Sequence, residues 1–349
     1  MALANRIDPA TAAATLERWM GAPVRDLSVP TASGLSCETV LFTAGGRPYV
    51  ARVAPPDGTG LFPTYRLEDE ARIMRTLADS TPVPAPHVVG VELDPTVLGD
   101  RFLVMDRIAG RVPPDDPPYS LAGWVLDLSP AEQHRLLDNA LATIVSVAQV
   151  DWAALDLGLR RVGIGEQIGF LEHLYVTGHR NRPHPVIEAG LEHLRTHAPT
   201  DERLALSWGD ARIGNMLFAD DLTVAGALDW ELASIGSPEV DLAYFLYALR
   251  LWSEGYGAPS PPGFPGRDAI LARWTELSGH TPQHLDYYER YAATFGALAV
   301  MRAGILMTKA GILPPDSTMW LINPASVMLA DYLGVEVPAG EVTGWAGHR

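Results

Sequence analysis

The sequence is short of cysteine, of positive charge and of long uncharged runs. Cys37 is the only cysteine among 349 residues, which excludes an intrachain disulfide and a thiolate zinc site. Lys and Arg number 26 against 42 Asp and Glu, a net charge of −16. A surface of that sign repels polyanions, so neither nucleic acid nor an anionic membrane is an expected partner. In the C-terminal half the longest charge-free stretch, Ser317 to Ala330, contains Pro324. It falls short of the about 20 apolar residues that span a bilayer. The N-terminal segment lacks a basic start followed by an apolar run, so a cytoplasmic protein without a secretory leader is expected. There is no repeat of solenoid period. The Gly-x-x-x-x-Gly-Lys-Ser/Thr pattern of a P-loop and the Gly-x-Ser-x-Gly of a hydrolase elbow are also missing.

What remains is a globular composition, 47% apolar and 19% charged, at a length that suits two domains or one domain of two lobes. Residues 39–43 and 49–53 read as strands joined by a turn over Ala44–Pro48. Leu67, Ala71, Met74 and Ala78 recur at helical spacing. The prolines of STPVPAPHVVG end that helix and lead into an extended segment. Residues 101–105 read as a buried strand. Beyond a Pro- and Asp-rich loop from Gly110 to Pro118, the pattern becomes helical. Ser129-Pro130-Ala131-Glu132 has the N-cap, N1 proline and N3 acid of a helix start. Leu136, Leu137, Ala140, Leu141, Ile144, Val145 and Ala148 continue it as a wide apolar stripe. Further helices are expected near 166–177, 185–197, 239–253, 268–278, 283–296 and 297–311. Short strands lie within 204–230, with a turn at Asp220-Asp221. The loop 255–266 holds four Pro and four Gly, a hinge-like composition of the kind that carries function.

The chemistry concentrates between Ser207 and Tyr244. Asn215 follows Asp210 by five residues, and Asp229 follows on a strand. That spacing matches the protein-kinase signature. Phosphoryl transfer needs one carboxylate to orient a hydroxyl and take its proton. It also needs an amide oxygen and a second carboxylate to hold Mg²⁺ on the nucleotide phosphates. Two ligands on either side of a hairpin can meet in space.

The segment resembles the aminoglycoside phosphotransferase family. That family includes the phosphotransferase-like domains associated with acyl-CoA dehydrogenases and actinobacterial members carrying Trp-Gly-Asp-Ala-Arg. Its pattern of His-Gly-Asp-x-x-x-x-Asn, Asp-Trp-Glu and Gly-x-Pro-x-x-Asp-Leu-Ala is met by Gly209-Asp210, Asn215, Asp229-Trp230-Glu231 and Gly236 to Ala243. Trp208 replaces the family's His, and Ala211 replaces the usual aromatic. The resemblance implies an α+β, two-lobed protein-kinase-like fold. A small antiparallel N-lobe with one helix spans 1–105, and a mainly helical C-lobe spans 106–349, its C-terminal helical part and the loop 255–266 being expected to shape the acceptor pocket. It also implies ATP or GTP as co-substrate, with Asp210 as catalytic base and Asn215 and Asp229 as Mg²⁺ ligands. Asp241 becomes a structural acid bracing the catalytic loop. The family's His braces this loop by hydrogen bonds, so Trp208 is expected to substitute by packing.

Upstream the likeness is looser. Ser33, Gly34 and Ser36 fall in the nucleotide loop. Arg52 stands where kinases pair a Lys with phosphate, and an Arg can do this bidentately. Its expected partner is Glu70, with Glu68 as the competitor. Met105 to Arg107 resembles the hinge whose backbone binds adenine, with Val50 and Leu217 as walls. Arg212 is placed to neutralise the transferring phosphoryl group, and Glu231 to assist the metal or face the acceptor. Cys37 reads as incidental. His193 and His197 lack a third ligand in reach, and His179 to Arg182 reads as a surface cluster. The expected enzyme is a small-molecule O-phosphotransferase, monomeric or homodimeric. Its acceptor would be an aminoglycoside-type compound or, on the dehydrogenase-associated branch, a hydroxyacyl-CoA. A nucleotide-binding pseudokinase is the alternative from another class.

Overall fold

The computed structural model describes residues 8–30, 36–178 and 182–344. Ser33 and Gly34, and His179 to Asn181, lie outside the described residues.

Helix α1 (Pro9–Met20) starts at Asp8, whose side chain accepts the Thr11 N–H at 2.9 Å, and ends at Gly21 in a left-handed conformation. Strands β1 (Val24–Ser28), β2 (Glu38–Ala44), β3 (Arg47–Val53), β4 (Val88–Glu92) and β5 (Phe102–Asp106) form an antiparallel sheet in the order β1-β2-β3-β5-β4. Period-two alternation gives each face its role. Phe42, Ala51, Val53, Phe102 and Val104 pack under Ala12 and Leu16 of α1. Val50, Arg52 and Met105 fall on the opposite face, which lines a cleft. The β2–β3 turn is tighter than the sequence implied. Ala44 pairs with Arg47, and only Gly45 and Gly46 lie between, both at positive φ as a two-residue hairpin requires. Helix α2 (Leu67–Ser80) lies on the cleft side, with Glu70 on its buried face and Arg75 Nε donating to the Val88 carbonyl of β4 at 3.1 Å.

The remainder is mainly helical apart from two small antiparallel strand pairs. Helix α3 (Pro130–Ala148) has the capping box read from Ser129 and Glu132. Helices α4 (Ile164–Gly178) and α5 (Pro185–Thr196) follow. Strand β6 (Ala205–Ser207) pairs with β9 (Ser234–Gly236), and β7 (Met216–Phe218) with β8 (Val224–Ala227). Helices α6 (Glu239–Leu251), α7 (Arg267–Ser278), α8 (Leu285–Lys309) and α9 (Pro324–Leu333) complete the fold.

The two helices expected over 283–311 are one. Gly296 sits inside α8 because a Cβ there would stand 2.1 Å from Tyr247 Oη of α6, so this glycine admits a neighbour and does not break the helix. Among the described residues α8 alone has the length and composition to cross a membrane, and 72% of its apolar window is buried inside the protein. It serves as the central core helix, packed against α4, α5, α6 and α9.

Candidate active site

Strand β6 delivers the loop that carries Asp210. Gly209 follows it at φ 86°, where a Cβ would lie 2.6 Å from the Leu232 carbonyl oxygen, so glycine is required twice over. Asp241, fully buried in the first turn of α6, accepts from Ser207 Oγ at 3.0 Å, Trp208 N at 2.7 Å and Gly209 N at 2.8 Å. Three donors on one carboxylate hold the residues that lead into Asp210. Asn215 closes the loop from the far end, its Nδ2 donating to the Asp210 carbonyl at 3.0 Å.

Burial pushes the Asp241 carboxyl up to about 6, against the pull of its three donors. Between about pH 4 and 6 the folded protein therefore holds a proton that the unfolded chain has released, so this group's contribution to stability falls as pH rises through that window. The loss amounts to about 3 kcal/mol and is complete above pH 6. Asp241→Asn is expected to be less stable at neutral pH, because its amide group faces donors, and to have lost this slope. Urea unfolding between pH 4 and 7 measures both.

Hairpin β7–β8 brings the two expected metal ligands together. Leu228 N donates to the Asn215 carbonyl at 2.9 Å, which sets Asp229 beside Asn215. Since Asn215 Nδ2 is engaged by Asp210, its Oδ1 is the end available to a cation. Among the described residues no cluster of three or more His, Cys, Asp or Glu could hold a metal by itself. An amide and a carboxylate nevertheless suit Mg²⁺, which keeps several waters and takes further oxygens from phosphates.

Arg52 is the hub of the site. It is buried and binds Glu70 through Nη1, which selects Glu70 over the exposed Glu68. Its Nη2 donates to Asp229 Oδ1 at 2.7 Å and lies 3.8 Å from Glu231 Oε2. Ser36 Oγ donates to Glu231 Oε2 at 2.8 Å. Burial pushes the Glu70 and Glu231 carboxyls up, with Arg52 opposing it in both and Asp229 adding to it. Cys37 is buried here as well, and burial raises its thiol far from the thiolate range of a nucleophile.

Asp210 is likewise raised by burial, offset by Arg212, whose Nε is 3.3 Å from Asp210 Oδ1. Arg212 also binds Asp115 Oδ2 at 2.6 Å and stacks over Trp252 at 5.4 Å. It is therefore a bridge between two carboxylates. Asp115 belongs to the loop after β5, and nothing in its spacing marked it as a partner.

Two cavities flank this cluster. The first, of about 770 Å³, is lined by Ser36, Val50, Arg52, Met105, Arg107, Arg212, Asn215, Leu217 and Asp229. The Asp106 and Arg107 N–H groups are already bonded to the His87 and Pro48 carbonyls, so donors to a bound base must come from beyond Arg107. The second, of about 350 Å³, lies under α2 and is lined by Glu70, Glu231, Gly209, Trp230, Tyr244 and Phe295 among others. Asp210 stands between them: Arg212 borders the first cavity, and Gly209 and Tyr244 border the second. The Pro- and Gly-rich loop 255–266 lines neither. It packs on α3, where Gly263 N donates to Gln133 Oε1 at 2.8 Å. His193 and His197 stack at 4.1 Å, away from the site residues. Arg182 lies over Trp320 at 5.4 Å.

Trp208 does more than pack. It is fully buried, and its Nε1 donates to the carbonyls of Leu228 at 2.9 Å and Asp229 at 3.2 Å. The departure at this position thus keeps a hydrogen bond to the segment that carries Asp229.

Residues 29–282 match the model of the phosphotransferase enzyme family, APH. The chain belongs to that family. Its N-lobe sheet and helical C-lobe are those of the kinase-like fold. Over 94% of its length the chain superposes on 96% of a Ralstonia eutropha protein described as an aminoglycoside phosphotransferase, with a TM-score of 0.66 and 24% identity. It also superposes, over 93% of its length and 98% of that chain, on aminoglycoside phosphotransferase APH(4)-Ia solved with AMP-PNP and hygromycin B, with a TM-score of 0.61 and 16% identity. By sequence it is 29% identical over 245 residues to mouse acyl-CoA dehydrogenase family member 10. The match covers 69% of this chain and only 21% of that much longer protein.

Proposed function

We propose that this phosphotransferase moves the γ-phosphoryl group of ATP or GTP to a hydroxyl of a small molecule. The observation that carries the reading is the gathering of Asp210, Asn215, Asp229 and Arg52 at the boundary between two cavities. The first cavity has the size and apolar walls for a nucleoside, with Arg52, Asn215 and Asp229 at its inner end. The second takes the acceptor. Asp210 receives the hydroxyl proton, and its raised carboxyl is a better base near neutral pH than an exposed one. Mg²⁺, held by Asn215 Oδ1 and Asp229, would neutralise charge on the phosphates. Arg52 faces the same phosphates and holds Asp229 and Glu70 in place. Arg212 keeps Asp210 oriented through the Asp115 bridge and adds positive charge beside the transferring group.

The lining of the second cavity favours one acceptor class over another. Its acids are nearly matched by arginines: Asp69, Glu70, Glu166 and Glu231 share the lining with Arg66, Arg160 and Arg161, while Arg52 binds Glu70 and lies 3.8 Å from Glu231. The lining also includes Phe62, Tyr65 and Phe170. In a chain of net charge −16 this pocket has little to draw in a polycation. An apolar acceptor with an anionic end fits better, and the kinship with an acyl-CoA dehydrogenase family protein points to a hydroxyacyl-CoA. Nucleotide release should be assayed with Mg²⁺ against hydroxyacyl-CoAs and against aminoglycosides. Stimulation by the thioesters alone is the expected result. Stimulation by aminoglycosides alone overturns the acceptor class but leaves the phosphotransferase standing. Mg²⁺-independent nucleotide binding with no transfer to any acceptor favours a pseudokinase.

A further inference from the structure

We propose that Trp208 and Trp230 act as a paired clamp that sets the geometry of Asp229, with Trp208 the decisive member. The inference goes beyond the phosphotransfer reading but rests on its assignment of Asp229 as a metal ligand. Three successive carbonyls at the end of β8 are capped by two indoles. Trp230 Nε1 donates to Ala227 O at 2.8 Å, and Trp208 Nε1 is shared between Leu228 O at 2.9 Å and Asp229 O at 3.2 Å. The rings stack at 5.3 Å with 23° between their planes, and both are fully buried. What they hold is an unusual backbone. Asp229 has φ 66°, a left-handed conformation that residues other than glycine seldom adopt. Residues held in such conformations persist only where their surroundings over-determine them, and the clamp supplies that constraint.

The clamp is itself anchored. Trp208 N donates to Asp241 Oδ2 at 2.7 Å, and the same carboxylate holds Gly209 beside Asp210. One buried acid and one indole thereby tie the loop of the base to the turn of the metal ligand. An indole N–H is a donor only, with no second tautomer and no acceptor role, so its bond to these carbonyls has a fixed sense. The geometry assigns Trp208 as a positioning residue acting through Asp229.

The test is the dependence of nucleotide binding on metal, which needs no acceptor. The affinity of the whole protein for AMP-PNP is measured by calorimetry with Mg²⁺ and with EDTA, and their ratio reports the metal contribution. Trp208→Phe keeps much of the stacked ring and removes the donor. It is expected to lower the ratio about tenfold, as the loss of a ligand's outer support does, with the EDTA affinity unchanged. Trp208→His, which restores a donor, should recover part of the loss. Trp230→Phe, which uncaps only Ala227, should lower the ratio by less than Trp208→Phe. An unchanged ratio in folded Trp208→Phe, or an equal loss in both Phe variants, overturns the inference and leaves simple packing. If Trp208→Phe does not fold, Trp208→Leu, which also removes the donor, takes its place and is judged against Trp230→Phe by the same criterion. Asp229→Ala separates the two levels. If it keeps the wild-type ratio, the metal-ligand assignment itself fails; if it loses the ratio while Trp208→Phe does not, only the clamp fails.

Discussion

Asp210→Asn is expected to lower acceptor-stimulated turnover by about a thousandfold, within the range for loss of a positioned general base. The substitution preserves shape, and Arg212 retains Asp115, its partner at 2.6 Å, so the loop should stay in place. Affinity for AMP-PNP with Mg²⁺ should therefore be unchanged, because Asp210 does not line the nucleotide cavity and the backbone carbonyl that holds Asn215 is retained. Turnover and nucleotide affinity measured on the same preparation check this. A variant that turns over normally, or one that is folded but no longer binds nucleotide, contradicts the role given to Asp210.

The second large effect lies at Arg52. Its guanidinium is the one cation paired with Glu70, Asp229 and Glu231 among the described residues. Arg52→Met leaves those carboxylates without a counter-ion in a buried setting. Breaking a buried pair from one side costs about 3–5 kcal/mol. The variant should lose that much at neutral pH and bind nucleotide poorly. The sign of its pH dependence follows from the carboxyls. Burial already raises Glu70 and Glu231, and removal of the opposing cation raises them further. The folded variant then holds protons that the unfolded chain releases, so its stability recovers as pH falls toward 4. Adding Glu70→Gln should restore part of the stability at pH 7 but not nucleotide binding. Urea titrations at pH 4.5 and 7 distinguish this from a general packing defect, which would gain no more in acid than the wild type does.

Much of the site was legible because its residues sit at fixed spacings on short elements. Asp210 and Asn215 bracket one tight loop, and a single hairpin separates Asn215 from Asp229, so local geometry brings them together. Glu70 was preferred to Glu68 because Glu70 to Arg75 fits the family's pattern, and in the structure α2 buries Glu70 and leaves Glu68 exposed. The partners that sequence did not show are distant ones. Asp115 reaches Arg212 across 97 positions, and Ser36 reaches Glu231 across 195. No periodicity encodes such pairs. Trp208 was read as packing because hydrophobicity is what a Trp shows in a sequence. Its N–H found a role only once β8 passed beneath it. In the fold, α1, β1, β9 and α9 were not foreseen: β9 is three residues long, and the others carry weak or mixed patterns. The Pro- and Gly-rich loop was given a role in the pocket on the family resemblance, and Gly263 instead fits it against α3, where a Cβ would stand 2.0 Å from the Pro130 carbonyl oxygen.

On the proposed reading, the cluster around Arg52, Asn215 and Asp229 presents a nucleotide's terminal phosphoryl group to Asp210. The most direct test follows label from γ-³²P-ATP in the presence of Mg²⁺ and a hydroxyacyl-CoA, with Asp229→Ala as the blank. Label appearing on the acceptor with the wild type and absent with the variant is the predicted result. Label that stays on ATP with every hydroxylated acceptor, in a protein that shows no Mg²⁺-dependent nucleotide binding, would contradict it.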